Sequence, residues 1–142
     1  MSEATRRFLG SLGETSAQTH PAAADPALRG RTWAVPFEAV WEEALSLAGG
    51  GLRGCSLRRA NDRDGIIIAE AHARFVGTSD FTISVVLDAD AQTRVDARSV
   101  SREARADLGS NARRIRTFFR LLEERLTTRL GAPPRVLSPP AG

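Results

Sequence analysis

One stretch constrains this chain more than any other: between Ile66 and Ser99 apolar and polar residues alternate at a period of two, with turn signals between the runs. Ile67, Ala69, Ala71, Ala73 and Phe75 alternate with Ile68, Glu70, His72 and Arg74. Phe81, Ile83, Val85 and Leu87 alternate with Thr82, Ser84 and Val86. Val95, Ala97 and Ser99 fall on one side of a further run, with Arg94, Asp96 and Arg98 on the other. Such a pattern specifies strands with one apolar face and one wetter face. An earlier run, about 54–59, is closed by Asn61-Asp62-Arg63-Asp64-Gly65, and Gly77-Thr78-Ser79 and Asp88-Ala89-Asp90 separate the others. Connections this short join antiparallel neighbours, because parallel pairing needs crossovers of a dozen or more residues.

The period changes on either side. Pro36 suits the first turn of a helix, where its missing N–H costs nothing. Phe37, Val40, Trp41, Ala44, Leu47 and Ala48 then follow at helical spacing until Gly49-Gly50-Gly51. Leu108, Ile115, Phe119, Leu122 and Leu126 form a second stripe over about 107–130, stopped by Gly131, Pro133 and Pro134. Arg31 to Val35 reads as a short leading strand. The expected fold is α+β, in the order β-α-β-β-β-β-α: a four- to five-stranded antiparallel sheet with both amphipathic helices packed on one face. Residues 29–130 form the domain, 1–28 a mobile arm without periodicity, and 131–142 a disordered Pro-rich tail.

At 142 residues there is room for one domain. All 20 basic residues are arginine and 17 acidic residues offset most of their charge, leaving +3. That balance does not by itself demand a nucleic-acid partner. Arginine offers a planar fork of donors suited to anions, although a biased genome would also produce it. Cys55 is the single cysteine, which excludes an internal disulfide and cysteine-based zinc sites; its strand-like setting suggests a buried, inert thiol. No run approaches the ~20 apolar residues of a membrane span. The N-terminus lacks the apolar block of a signal peptide. The chain reads as cytoplasmic.

The densest polar segment spans 95–115, a strand running straight into a helix. Asp107 is placed to cap the helix N-terminus, since a carboxylate accepts the free N–H groups of a first turn. Arg98, Ser99, Ser101 and Arg102 lie near the strand end, and Gly109, Asn111, Arg113 and Arg114 in the helix start. Two readings stand. In one, the cluster binds a phosphate, sulfate or carboxylate with arginines and helix N–H groups. In the other it is a structural clamp, with Asp107 capping and Arg98 or Arg102 paired to Asp107, Asp96 or Glu103.

The same residues resemble the bacterial and plastid family called domain of unknown function 1499, whose signature is R-S-x-S-R, a spacer, D-x-G-x-N, then R-R-I. Here it reads Arg98-Ser99-Val100-Ser101-Arg102, Asp107-Leu108-Gly109-Ser110-Asn111 and Arg113-Arg114-Ile115. Glu14-Thr15-Ser16, Pro26-Ala27-Leu28-Arg29 and Pro36-Phe37-Glu38-Ala39-Val40-Trp41 are similar to the family's N-terminal half, so the resemblance covers roughly 14–126. Glu103-Ala104-Arg105-Ala106 departs from it, since relatives carry Val-Gly after the second arginine. In 75–80, where relatives show Phe-x-Asp-Asp, Asp80 is retained. The resemblance implies no activity.

Catalysis finds little support. His20 lies in the arm and His72 in mid-strand. No H-E-x-x-H, G-x-S-x-G or phosphate-loop pattern occurs, and no cofactor is expected. Glu70 and Asp96 would neighbour one another across strands among arginines, as charge pairs on a wet face. Nucleic acid is disfavoured: Arg58, Arg74, Arg94 and Arg98 could share a sheet face and Arg113, Arg114, Arg116 and Arg120 a helix, but Tyr is absent and exposed strand positions lack rings to stack bases. The entry at 34–41 is also similar to helix-grip domains, which cradle hydrophobic ligands. The expected function is a non-catalytic binding or accessory module, with a small anion or a protein as partner at the strand-to-helix junction. A hydrophobic-ligand carrier and a small enzyme are the alternatives.

Overall fold

The computed structural model of the chain describes residues 16–88, 90–103 and 109–135. Strand β1 (Ser16–Gln18) is followed by a 3-10 turn (Pro26–Leu28) and β2 (Arg31–Trp33). Helix α1 (Phe37–Ser46) comes next, then β3 (Cys55–Asn61), β4 (Ile66–Ala73), β5 (Gly77–Leu87) and β6 (Thr93–Ser101). Helix α2 (Ser110–Leu130) closes the fold. The strands form one antiparallel sheet in the order β1-β6-β5-β4-β3, with β2 pairing β6 further along the same edge. The α+β class and antiparallel pairing agree with the periodicity. Among the described residues the strand count is six, because Ser16–Gln18 joins the sheet opposite Arg98–Val100. The arm expected over 1–28 is thus part of the fold from residue 16 onward, and residues 1–15 lie outside the described residues.

Alternation puts one face of the sheet in the core. Ile67, Ala69, Ala71, Phe81, Ile83, Val85, Val95 and Ala97 are all buried. They meet Val40, Ala44, Leu47 and Ala48 from α1 and its C-terminal turn, and Ile115, Phe118, Phe119, Leu122 and Leu126 from α2. Phe118, absent from the stripe read off the sequence, is fully buried and lies edge-on between Phe81 and Phe119 at ring distances of 5.4 and 5.2 Å. Burial of this layer, at about 25 cal/mol per Å² of apolar surface, is the main stabilising term. Trp33 is buried too, and among the described residues its Nε1 is the only buried side-chain nitrogen or oxygen without a partner.

Pro36 caps α1, which runs through Ser46 and unwinds over Leu47–Gly51, where Gly50 adopts φ 130°. Helix α2 begins at Ser110, with Gly109 as N-cap in the left-handed region, later than the sequence suggests. Asp107, expected as the cap, and Leu108 lie outside the described residues. Gly131 ends α2 with φ 78°, its N–H donating to the Thr127 carbonyl. Of the tail, residues 131–135 are described, and the Arg135 carbonyl accepts from Ala34 N–H.

Two tight turns shape one end of the sheet. At the start of β3, Gly54 has φ 85°, and a Cβ there would lie 2.4 Å from the His72 carbonyl oxygen. Only glycine allows this approach of β3 to β4. At the β4–β5 tip the Ala73 carbonyl accepts from Val76 N–H, which puts Phe75 at the third turn position with φ 71°.

Candidate functional site

The pentapeptide Arg98–Arg102 divides between the two faces of the sheet, as the pleat requires. Ser99 and Ser101 point into the helix-covered face and are buried, whereas Arg98 and Arg102 stand exposed on the opposite, open face. The eight candidate residues that are described therefore do not form one cluster, and Asp107 lies outside the described residues.

On the covered side, four of them join in a polar network. Ser99 Oγ donates to Asn111 Oδ1 at 2.7 Å, and Asn111 Nδ2 donates to Ser101 Oγ at 2.9 Å. Arg114 reaches across with one guanidinium nitrogen, 2.8 Å from Ser99 Oγ and 2.9 Å from Asn111 Oδ1. Ser79, from β5, lies 3.4 Å from Ser101 Oγ. Asn111 is fully buried, and each of its side-chain heteroatoms has a partner. Burying an amide without partners costs free energy, so this staple holds the first turn of α2 against β6 and β5 only because it is complete.

The open face carries an ion-pair network. Arg102 binds Glu70 at 2.7 Å and Asp80 at 2.7 Å, and Arg58 binds Glu70 at 2.6 Å. The hydrogen bonds from Arg102, then Arg58, hold the Glu70 carboxyl below the usual range, and Asp80 and Glu70 raise the Arg102 guanidinium. Glu70 sits opposite Asp80, and Asp96 opposite Ser84. Strand β5 runs between β4 and β6, so Glu70 and Asp96 are not the cross-strand neighbours expected. Asp96 instead binds Arg94 at 2.9 Å and accepts from the Thr19 hydroxyl at 2.8 Å. Arg98 lines a shallow depression with Gln18, Thr19, Thr82, Ser84 and Asp96.

Arg113 and Arg114 lead to a third location. They line a groove of about 750 Å³ between the N-terminal end of α2, the turn entering β3 and the end of β4. Arg53 and Arg74 line it as well, with His72, Ser110 and Thr117. Among the described residues no carboxylate lines the groove, and no ion pair engages Arg53, Arg74 or Arg113. The other arginines of α2 are paired: Arg116 with Asp25, Arg120 with Glu124, Arg125 with Glu43, and Arg129 with Glu42 and Glu43. Arg53 carried no signal in the sequence, since only the fold brings the turn after α1 beside α2. Arg74 was legible as a charge but not as a neighbour of Arg113.

Cys55, the first residue of β3 and next in sequence to Gly54 of the groove lining, is buried. Burial pushes its thiol up, against the opposing charge of Arg114, so the thiolate is disfavoured. Among the described residues no group of His, Cys, Asp or Glu is arranged to hold a metal. The packed rings of Phe81, Phe118 and Phe119 occupy the sheet–helix interface where a helix-grip domain would cradle its ligand. No helix among the described residues is long and apolar enough to cross a membrane.

A six-stranded antiparallel sheet, one helical layer and a serine–asparagine–arginine staple between them define a small α+β domain. Within that class, the family described as protein of unknown function (DUF1499) matches residues 14–122, more than half of the chain, and the chain belongs to it. No curated protein and no solved structure matches the chain.

Proposed function

We propose that this chain is a non-catalytic binding module whose groove at the N-terminal end of α2 takes an anionic group, such as a phosphate or sulfate. One observation carries the reading: Arg53, Arg74 and Arg113, with Arg114 beside them, line a single groove in which no described residue is a carboxylate. Like charges at this spacing repel one another, and a bound anion with several acceptor oxygens offsets that repulsion through charge-assisted hydrogen bonds. Arg114 is held by Ser99 and Asn111, so its guanidinium is pre-positioned. Arg53, Arg74 and Arg113 keep their donors for a ligand. In this reading Ser99, Ser101 and Asn111 serve the site by fixing α2, and Arg98 and Arg102 belong to the opposite face.

Thermal unfolding with added phosphate, sulfate or acetate tests it, because a ligand of the native state raises Tm with concentration. Phosphate and sulfate should raise Tm more than acetate at equal ionic strength. Replacing Arg53, Arg74 and Arg113 together by Gln should abolish the difference while leaving the unliganded Tm close to wild type. Equal response to all three salts would refute the reading.

A further inference from the structure

The two edges of the sheet are finished differently. On one, β1 and β2 both pair with β6 and cover it. On the other, β3 pairs with β4 alone. Every residue of β3 after Cys55 is exposed, and among the described residues no backbone hydrogen bond meets the outer side of 56–61. The register assigns its side chains to faces. Leu57 stands opposite buried Ala69, on the helix-covered face, yet leaves 41% of its surface exposed. Arg59 stands opposite Ile68, on the open face, and Arg58, at the irregularity between Leu57 and Arg59, reaches Glu70 on that face at 2.6 Å. Among the described residues Arg59 takes part in no ion pair. The turn at 62–64 carries Asp62, Arg63 and Asp64, so the cationic stretch of this edge is Arg58 and Arg59 in mid-strand.

We infer that the β3 edge adds an extended strand of a partner protein, in which acidic residues on the open face alternate with apolar residues on the helix-covered face. Unpaired edge N–H and C=O groups supply the main-chain contacts of strand addition, and side chains at a period of two supply its specificity. A carboxylate opposite Arg59 gains a cross-strand charge pair, with Arg58 beside it. An apolar side chain beside Leu57 covers surface that the helices leave bare. A second copy of the chain suits this edge less. Antiparallel self-pairing of β3 puts Arg58, Arg59 and both their copies on one short stretch of the same face, where like charges repel. Charges and bulges commonly guard an edge against such self-pairing, and arginine guards it against every strand except an acidic one. The inference is independent of the anion reading, since Leu57, Arg58 and Arg59 do not line the groove.

Anisotropy of a dye-labelled heptapeptide alternating Glu and Val, titrated with the full chain, tests this. The comparisons are a Lys and Val peptide, and the Glu and Val peptide with its central Val replaced by Pro. The acidic peptide should bind at least about tenfold more tightly than the basic one. It should also bind about tenfold more tightly than the Pro peptide, because proline lacks the N–H that a ladder needs. Amide hydrogen exchange should slow within 56–61 when the acidic peptide binds. Arg59→Glu should keep Tm close to wild type, lose about fivefold for the acidic peptide and gain affinity for the basic one. Equal binding of the Pro peptide would reduce the contact to bulk charge and overturn the inference. Exchange protection confined to residues outside 56–61 would overturn it, as would displacement of the peptide by phosphate at constant ionic strength, which would move it to the groove. A chain that ignores the acidic peptide overturns the strand addition and leaves the anion reading standing. A dimer of the chain alone that protects 56–61 would assign the edge to a second copy and overturn the inference as well.

Discussion

Strand β6 presents two surfaces drawn from one pentapeptide, and they differ in almost every physical respect. Toward the helices, Ser99 and Ser101 are buried and bound to Asn111, with Arg114 closing the network. Toward solvent, Arg102 meets Glu70 and Asp80 with its side chain about half exposed. Both sides show short hydrogen bonds, so distance does not separate them. What separates them is the alternative available when a partner is lost. A buried amide or hydroxyl then has nothing to bind, whereas an exposed guanidinium or carboxylate returns to water. The uncharged half of the motif should therefore dominate stability, although the charged half looks stronger.

The largest effect should follow from Asn111→Ala. It removes a side chain that bonds both buried serines and the Arg114 guanidinium, leaving Ser101 Oγ with only the 3.4 Å contact to Ser79. Lost bonds and orphaned buried groups together should cost about 3 kcal/mol in urea unfolding of the full chain. A loss under about 1 kcal/mol would mean that the covered face tolerates unpaired hydroxyls, and the contrast between the faces would collapse. Because the staple fixes the first turn of α2, the same variant should also weaken any phosphate response of the groove.

Arg102→Gln comes second. It breaks the ties to Glu70 and Asp80 on the open face, where salt screens the charges. The stability loss should be smaller than for Asn111→Ala and should shrink as salt is raised, because surface pairs contribute little. A loss as large as that of Asn111→Ala, unchanged in high salt, would show that the open face is covered in solution.

These contrasts also show where the sequence was legible. Strand alternation and the α2 stripe were readable because burial enforces period: Ile67, Phe81, Ile83, Val95, Ile115, Phe119 and Leu122 all lie in the core. The same alternation already separates Ser99 from Arg98. Grouping Arg98 and Arg102 with Arg113 followed closeness in sequence, where the pleat sends neighbours to opposite faces. Ser16–Gln18 was illegible as a strand because three residues carry no period, and its pairing with β6 is decided by tertiary packing. The Asp107 cap lies outside the described residues, which begin α2 at Ser110. Gly109 in a left-handed conformation fits where the chain turns into α2. The groove was half visible: Arg113 and Arg114 lie in the motif, whereas Arg53 and Arg74 reach it through the turns at Gly54 and Phe75, which no spacing encodes.

The smallest effect concerns acid. Glu70 titrates below the usual glutamate range because Arg102 and Arg58 hydrogen-bond its charged form. A carboxyl with a depressed folded-state pKa binds fewer protons folded than unfolded, so stability falls as pH falls. Its contribution is fully present above the unfolded value, about 4.3, and disappears as pH drops through the lowered folded value. Glu70→Gln should therefore be slightly less stable than wild type at neutral pH, and the two unfolding curves should converge in acid. Asp25, lowered by the Ala27 backbone N–H and by Arg116, remains in both proteins and cancels in the comparison. Asn111→Ala gives the matching control, since Ser99, Ser101 and Asn111 do not themselves titrate, and its deficit should persist across the same acid range. A Glu70→Gln deficit equally flat in pH would place Glu70 with the buried staple and not with the screened surface.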